Sequence, residues 1–103
     1  MARVAEMSEP YQIDHFTRMF KVPGHVPLLK SAPNLIKTRQ GHTEMSTYLL
    51  RLAKMTAVSV ICEMMDPITH RALSLEKATK YANVNQIPML DVGEVLDHSK
   101  IYA

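Results

Sequence analysis

Apolar residues from Met45 onward fall at Met45, Tyr48, Leu49, Leu52 and Ala53. This is the i, i+3, i+4, i+7, i+8 spacing of one helix face, and it predicts a helix over residues 43–54. Upstream, residues 1–14 are mixed and weakly patterned, with Ser8-Glu9-Pro10 able to open a short helix, and Ile13, Phe16, Met19 and Phe20 then lie near helical spacing, enough for one or two turns of helix. It should stop before Val22-Pro23-Gly24, a turn signal in which Pro23 discourages helix at Val22. Val26-Pro27-Leu28-Leu29 reads as a strand start or edge, since Pro27 cannot donate to a ladder. Ala32-Pro33-Asn34 makes another turn, followed by Leu35-Ile36-Lys37. Beyond the helix, Ala57-Val58-Ser59-Val60-Ile61-Cys62 is β-branched and nearly continuous, the pattern of a strand covered on both faces. Ser74 is a good N-cap for a second helix over 75–83, with Leu75, Ala78 and Ala82 inward. Ile87-Pro88-Met89-Leu90 looks like a further short strand. Residues 92–98 suit a last turn or two of helix with Val95 and Leu96 inward.

Helices alternating with buried strands predict a layered α/β domain, with a mixed sheet and some parallel pairing. At 103 residues and 47% hydrophobic content, residues 1–103 are expected to form a single domain with a modest core. Twelve basic against ten acidic residues leave a net charge of +2, with no basic block. That argues against a nucleic-acid partner. No apolar run approaches the roughly 20 residues of a membrane span, and the first residues lack the apolar core of a signal peptide. The lone Cys62 excludes an internal disulfide and fits a reducing cytoplasm.

Chemistry concentrates in Arg39-Gln40-Gly41-His42-Thr43-Glu44. Gly41, His42 and Thr43 stand where a helix begins, and there the first N–H groups lack intrahelical partners. Such a site suits an anion, and Arg39 adds a forked cation matched to phosphate oxygens. The bland alternative is a polar helix start with a basic neighbour, in which His42 caps or is merely solvated instead of holding a metal. Glu63, at the end of a strand, is placed where α/β sheets bind ligands. Partial burial there would suit it to proton transfer; the alternative is a solvated strand end. His25 follows the Pro23-Gly24 turn and is either a positioned imidazole or a surface residue. His15, His70 and His98 show no partner spacing. Cys62 reads as an inert core thiol, and Met45, Met64, Met65 and Met89 read as gap-fillers. No P-loop, zinc-finger spacing or Ser/His/Asp motif is present.

Three segments together resemble one family. Phe20-Lys21-Val22-Pro23-Gly24-His25-Val26-Pro27-Leu28-Leu29 is similar to an F-x-x-P-G-H-V-P-(L/I)-L segment. Arg39 to Glu44 match R-x-G-H-T-E, and Val60-Ile61-Cys62-Glu63-Met64 match V-I-C-E-M. Ala72-Leu73-Ser74 and the helix ending Lys80-Tyr81-Ala82 follow its archaeal wording. The resemblance is to 3,4-dihydroxy-2-butanone 4-phosphate synthase of the riboflavin pathway. It runs from about Phe20 to about Glu94, and order and spacing make it specific.

The resemblance implies conversion of ribulose 5-phosphate to 3,4-dihydroxy-2-butanone 4-phosphate and formate in a cytoplasmic homodimer. It places Arg39, Gln40, Gly41, His42 and Thr43 on the substrate, with Arg39 and Thr43 at the phosphate. His42 becomes a ligand to magnesium (or manganese), and His25 and Glu63 are required for catalysis, Glu63 also touching substrate. The departures are as informative. The family chain is roughly twice as long, and only its C-terminal part is resembled. The acidic E-G-D segment that completes the metal site belongs to the other half, as do a flexible substrate loop and a T-A-x-D-R segment. The usual D-D-G after C-E-M reads Asp66-Pro67-Ile68, and two glycines that often precede R-x-G-H-T-E read Pro33-Asn34. The expectation is therefore an incomplete half of the family fold, inactive or nearly so alone and active with a companion chain. The alternative is a truncated, inactive homologue that serves as a phosphate-binding or interaction module.

Overall fold

A computed structural model describes residues 1–102, the side chains of Ile101 and Tyr102 excepted. Among the described residues five α-helices follow one another: α1 (Ala2–Ala5), α2 (Glu9–Met19), α3 (His42–Leu52), α4 (Leu75–Val84) and α5 (Val92–Tyr102), with a 3-10 turn at Leu35–Lys37 before α3. The chain divides into two compact units, Met1–Ile61 and the residues from Cys62 on. No helix among the described residues is long and apolar enough to cross a membrane.

In the first unit, α2 starts after Ser8 with Pro10 in its first turn, where a missing N–H is harmless. It ends at Phe20, whose ring stacks on Phe16 at 5.1 Å between centroids. The Val22–Pro23 peptide is cis. The core lies around the 3-10 turn and the start of α3, where Leu35, Ile36 and Met45 are buried. Asn34 and Leu35 are both left-handed, at φ 60° and 52°, which turns Leu35 and Ile36 inward. Helix α3 closes with a Schellman arrangement: Met55 N–H reaches Leu50 O at 2.9 Å and Lys54 N–H reaches Arg51 O at 3.0 Å. Lys54 holds the left-handed position, φ 54°, that glycine usually fills.

In the second unit, residues 64–73 form a tight loop closed by one antiparallel bridge, Met65 to Ala72. Asp66 is its hub. One carboxylate oxygen accepts the N–H groups of Ile68 (2.8 Å) and Thr69 (3.2 Å), and the other accepts Lys77 Nζ at 2.6 Å. The Lys77 bond, first among these, lowers the Asp66 pKa from 3.8 to about 2. Ser74 caps α4 by accepting Lys77 N–H, as its position predicts. At α5, Asp91 accepts Gly93 N–H (2.7 Å) while Glu94 accepts Asp91 N–H (2.7 Å), a reciprocal capping box. Ala82 and Val95 are buried.

The expected α/β sheet does not form. Among the described residues there is no strand, only the single bridge, and the protein is helical. Residues 26–29, 57–62 and 87–90 run without ladder partners, and Val60, expected at the centre of a covered strand, is 91% exposed. An apolar β-branched run becomes a strand only when another segment satisfies its N–H and C=O groups. Among the described residues no other segment pairs with these runs, and Val58 N–H bonds only to the nearby Thr56 carbonyl at 2.8 Å. The same lack of cover exposes Cys62, Met64, Met65 and Met89, all expected inside. Leu75, expected inward, is 74% exposed because the first residue of α4 meets no apposed element.

Candidate functional site

The start of α3 is the best-built polar feature of the first unit. Its N-cap is Gly41, extended at φ −98° and ψ 166°, which has no side chain to cap the first-turn N–H groups. The His42 imidazole is exposed and Thr43 is half-buried. The Thr43 carbonyl accepts the hydroxyls of Ser46 (3.0 Å) and Thr47 (2.8 Å), so this turn is tied from within.

Beneath it lies Glu44, whose side chain is 1% exposed. Its Oε1 accepts Ala32 N–H at 3.0 Å. Arg39 Nη1 lies 3.5 Å from Oε1 and 3.3 Å from Oε2. The Ala32 N–H does most to hold the Glu44 carboxyl below the usual carboxylate value; burial opposes it, while its own amide and the Arg39 guanidinium add to the lowering. Ser31 and Thr47 hydroxyls meet at 2.7 Å beside this pair, pinning the incoming chain to α3 a second time. A buried carboxylate must be satisfied by donors, and here the loop amide and the guanidinium supply them.

Gly41 is required by close approach and not by its dihedral angles. A Cβ there would lie 2.6 Å from Glu44 Oε2, 3.1 Å from Arg39 Nη1 and 3.2 Å from Arg39 Cζ. The glycine thus makes room for the Arg39–Glu44 pair against the helix start. The structure brings Arg39, Gly41 and Glu44 together, with exposed Gln40 between them in sequence. Glu44 closes the stretch in which the sequence concentrates chemistry, but its burial is unexpected, because a glutamate in a first helical turn is ordinarily a solvated group facing the dipole.

The remaining candidates stand in unstructured chain. His25 follows the Pro23-Gly24 turn in a fully exposed stretch. Glu63 belongs to the second unit and is exposed, so the burial expected to suit it to proton transfer is not there. Cys62 Sγ donates to the Glu63 carbonyl at 3.5 Å. Among the described residues no group of three or more His, Cys, Asp or Glu side chains is arranged to hold a metal ion. His42 offers a single nitrogen, and the nearby Glu44 is already committed to Ala32 and Arg39. Magnesium prefers an octahedron of oxygens, so the residues present do not make a site for it.

Comparison with known proteins gives this geometry its context. The sequence pattern of 3,4-dihydroxy-2-butanone 4-phosphate synthases matches residues 3–98. The chain belongs to the 3,4-dihydroxy-2-butanone 4-phosphate synthase family. Among relatives bearing that name, the protein of Methanothermobacter thermautotrophicus is 42% identical over 84 residues, covering 82% of this chain and 37% of its own. That of Archaeoglobus fulgidus is 42% identical over 83 residues, 81% of this chain and 35% of the relative. The Candida albicans protein is 28% identical over 79 residues, 77% and 39% respectively. The chain therefore spans little more than a third of the length of the synthases it matches.

Proposed function

We propose that this chain carries the sugar-phosphate-binding part of a synthase that converts ribulose 5-phosphate to 3,4-dihydroxy-2-butanone 4-phosphate and formate, in riboflavin biosynthesis. The uncapped start of α3 beside the Arg39 guanidinium carries this reading. A helix start without a side-chain cap, the helix dipole and a forked cation together favour a phosphate dianion. Arg39 and Thr43 meet the phosphate, and Gln40, Gly41 and His42 line the approach. His25 and Glu63 hold and move protons during enediol formation, carbon-skeleton migration and loss of one carbon. The family's reaction uses magnesium or manganese, for which His42 offers one ligand of a set that these residues do not complete. The working enzyme is cytoplasmic and acts as a homodimer or with a companion polypeptide bearing the missing carboxylates.

The absence of a metal-holding cluster among the described residues favours a second reading, a catalytically silent homologue that only binds phosphate. Formate release from ribulose 5-phosphate with magnesium, measured for the chain alone and with a polypeptide carrying the E-G-D segment, separates the two. Formate only in the mixture supports the synthase reading, and none in either sinks it.

A further inference from the structure

Glu44 is an expensive residue to bury, and stability gives little reason for a carboxylate there. Taking a carboxylate out of water is offset only by well-placed partners, and apolar residues of similar volume often serve a fold as well or better. What the carboxylate does that an apolar side chain could not is hold an arginine. One oxygen is anchored to the Ala32 N–H at 3.0 Å, and both face Arg39 Nη1 at 3.3–3.5 Å. Gly41 gives up its side chain so that this pair can lie against the N-cap of α3. The Arg39 side chain is nonetheless 67% exposed, so much of its fork stays open to solvent.

We propose that Glu44 is a positioning residue for anion binding: anchored by Ala32, it fixes the Arg39 guanidinium over the start of α3 before any phosphate arrives. The proposal rests on the sugar-phosphate reading of this site and adds to it a residue that does not itself touch the ligand. Arginine has many rotamers, and ordering it in advance removes an entropic penalty from the binding step.

Charge and positioning predict opposite signs, which makes the idea testable. By Coulomb's law alone, neutralising a carboxylate beside an anion site should tighten phosphate binding. If positioning dominates, Glu44→Gln, which keeps the volume and the acceptor for Ala32, weakens it about three- to tenfold. The measurement is an NMR titration of the full chain with inorganic phosphate, for the wild type, Glu44→Gln, Arg39→Gln and the double variant. The expected result is weaker binding in Glu44→Gln and no further loss when Glu44→Gln is added to Arg39→Gln, since a merely structural role would weaken both backgrounds. Equal or tighter binding by Glu44→Gln overturns the positioning role and leaves the anion site standing. Absence of phosphate binding by the wild type overturns the anion-site reading and this proposal with it. Should Glu44→Gln not fold, the wild-type Arg39 Nε–H heteronuclear NOE decides: a value near that of the α3 backbone supports fixation, and that of a freely moving side chain refutes it.

Discussion

Replacing Gly41 with alanine tests the packing of the site through the smallest available change. The residue has φ −98°, which alanine adopts without strain, so backbone effects alone favour the substitution. At compatible positions Gly→Ala stabilises by about 0.4–1 kcal/mol through the unfolded chain. Space argues the other way. The new methyl group would lie 2.6 Å from Glu44 Oε2, where ordinary contact begins at 3.4 Å, and 3.1 Å from Arg39 Nη1. The carboxylate has no free direction of retreat: it is 1% exposed and its other oxygen is held by Ala32. Overpacking of this kind costs about 1–3 kcal/mol, so a net loss of about 1–2 kcal/mol is expected. For a domain of this size that is a fall in melting temperature of about 4 °C or more, followed by far-UV circular dichroism. In a Glu44→Ala background the obstructing carboxylate is gone, and Gly41→Ala should become neutral or stabilising. A Gly41→Ala protein as stable as the wild type, or the same loss in both backgrounds, would refute the reasoning.

Three further outcomes are expected. Asp66, with its pKa lowered from 3.8 to about 2, contributes stability that is full above its unfolded value and is lost as pH falls through the folded one. An acid titration should therefore show the second unit loosening between about pH 4 and pH 2, and Lys77→Met should move that loss to higher pH; an unchanged midpoint would contradict the pairing. Lys54→Gly relieves the left-handed residue that closes α3 and should stabilise by about 0.5–1 kcal/mol; destabilisation in thermal melts would count against the Schellman geometry. The uncovered apolar residues 57–61 and 87–90 predict self-association, visible by light scattering as a mass that rises with concentration, and a strictly monomeric chain would oppose it.

Much of the helical architecture can be read from local signals. Ser74 caps α4 as its side chain requires, and Val95 turns inward as the spacing in α5 demands. The start of α3 was legible for the same reason, since Gly41 and the apolar series after Met45 are short-range features. The sheet was not. The run at residues 57–62 has strand composition, but a strand is a relation between segments, and its ladder partners are not found among the described residues of a chain spanning about a third of its relatives. The burial of Glu44 and Asp66 is not legible in the sequence for a related reason. Each acid is buried by chain that folds over it, residues 31–32 for Glu44 and the loop after Asp66 for Asp66, and no periodicity of apolar positions records that cover. The capping box Asp91–Glu94 stands in the sequence as D-x-x-E, a local signal for the start of α5.

The claim that the start of α3 binds a sugar phosphate is tested most directly by adding ribulose 5-phosphate to the isotope-labelled chain and following backbone amide shifts. Saturable shifts centred on Gly41, His42 and Thr43, with the Arg39 side chain responding, are the expected result. Shifts confined to other segments, or none at this helix start, would contradict it.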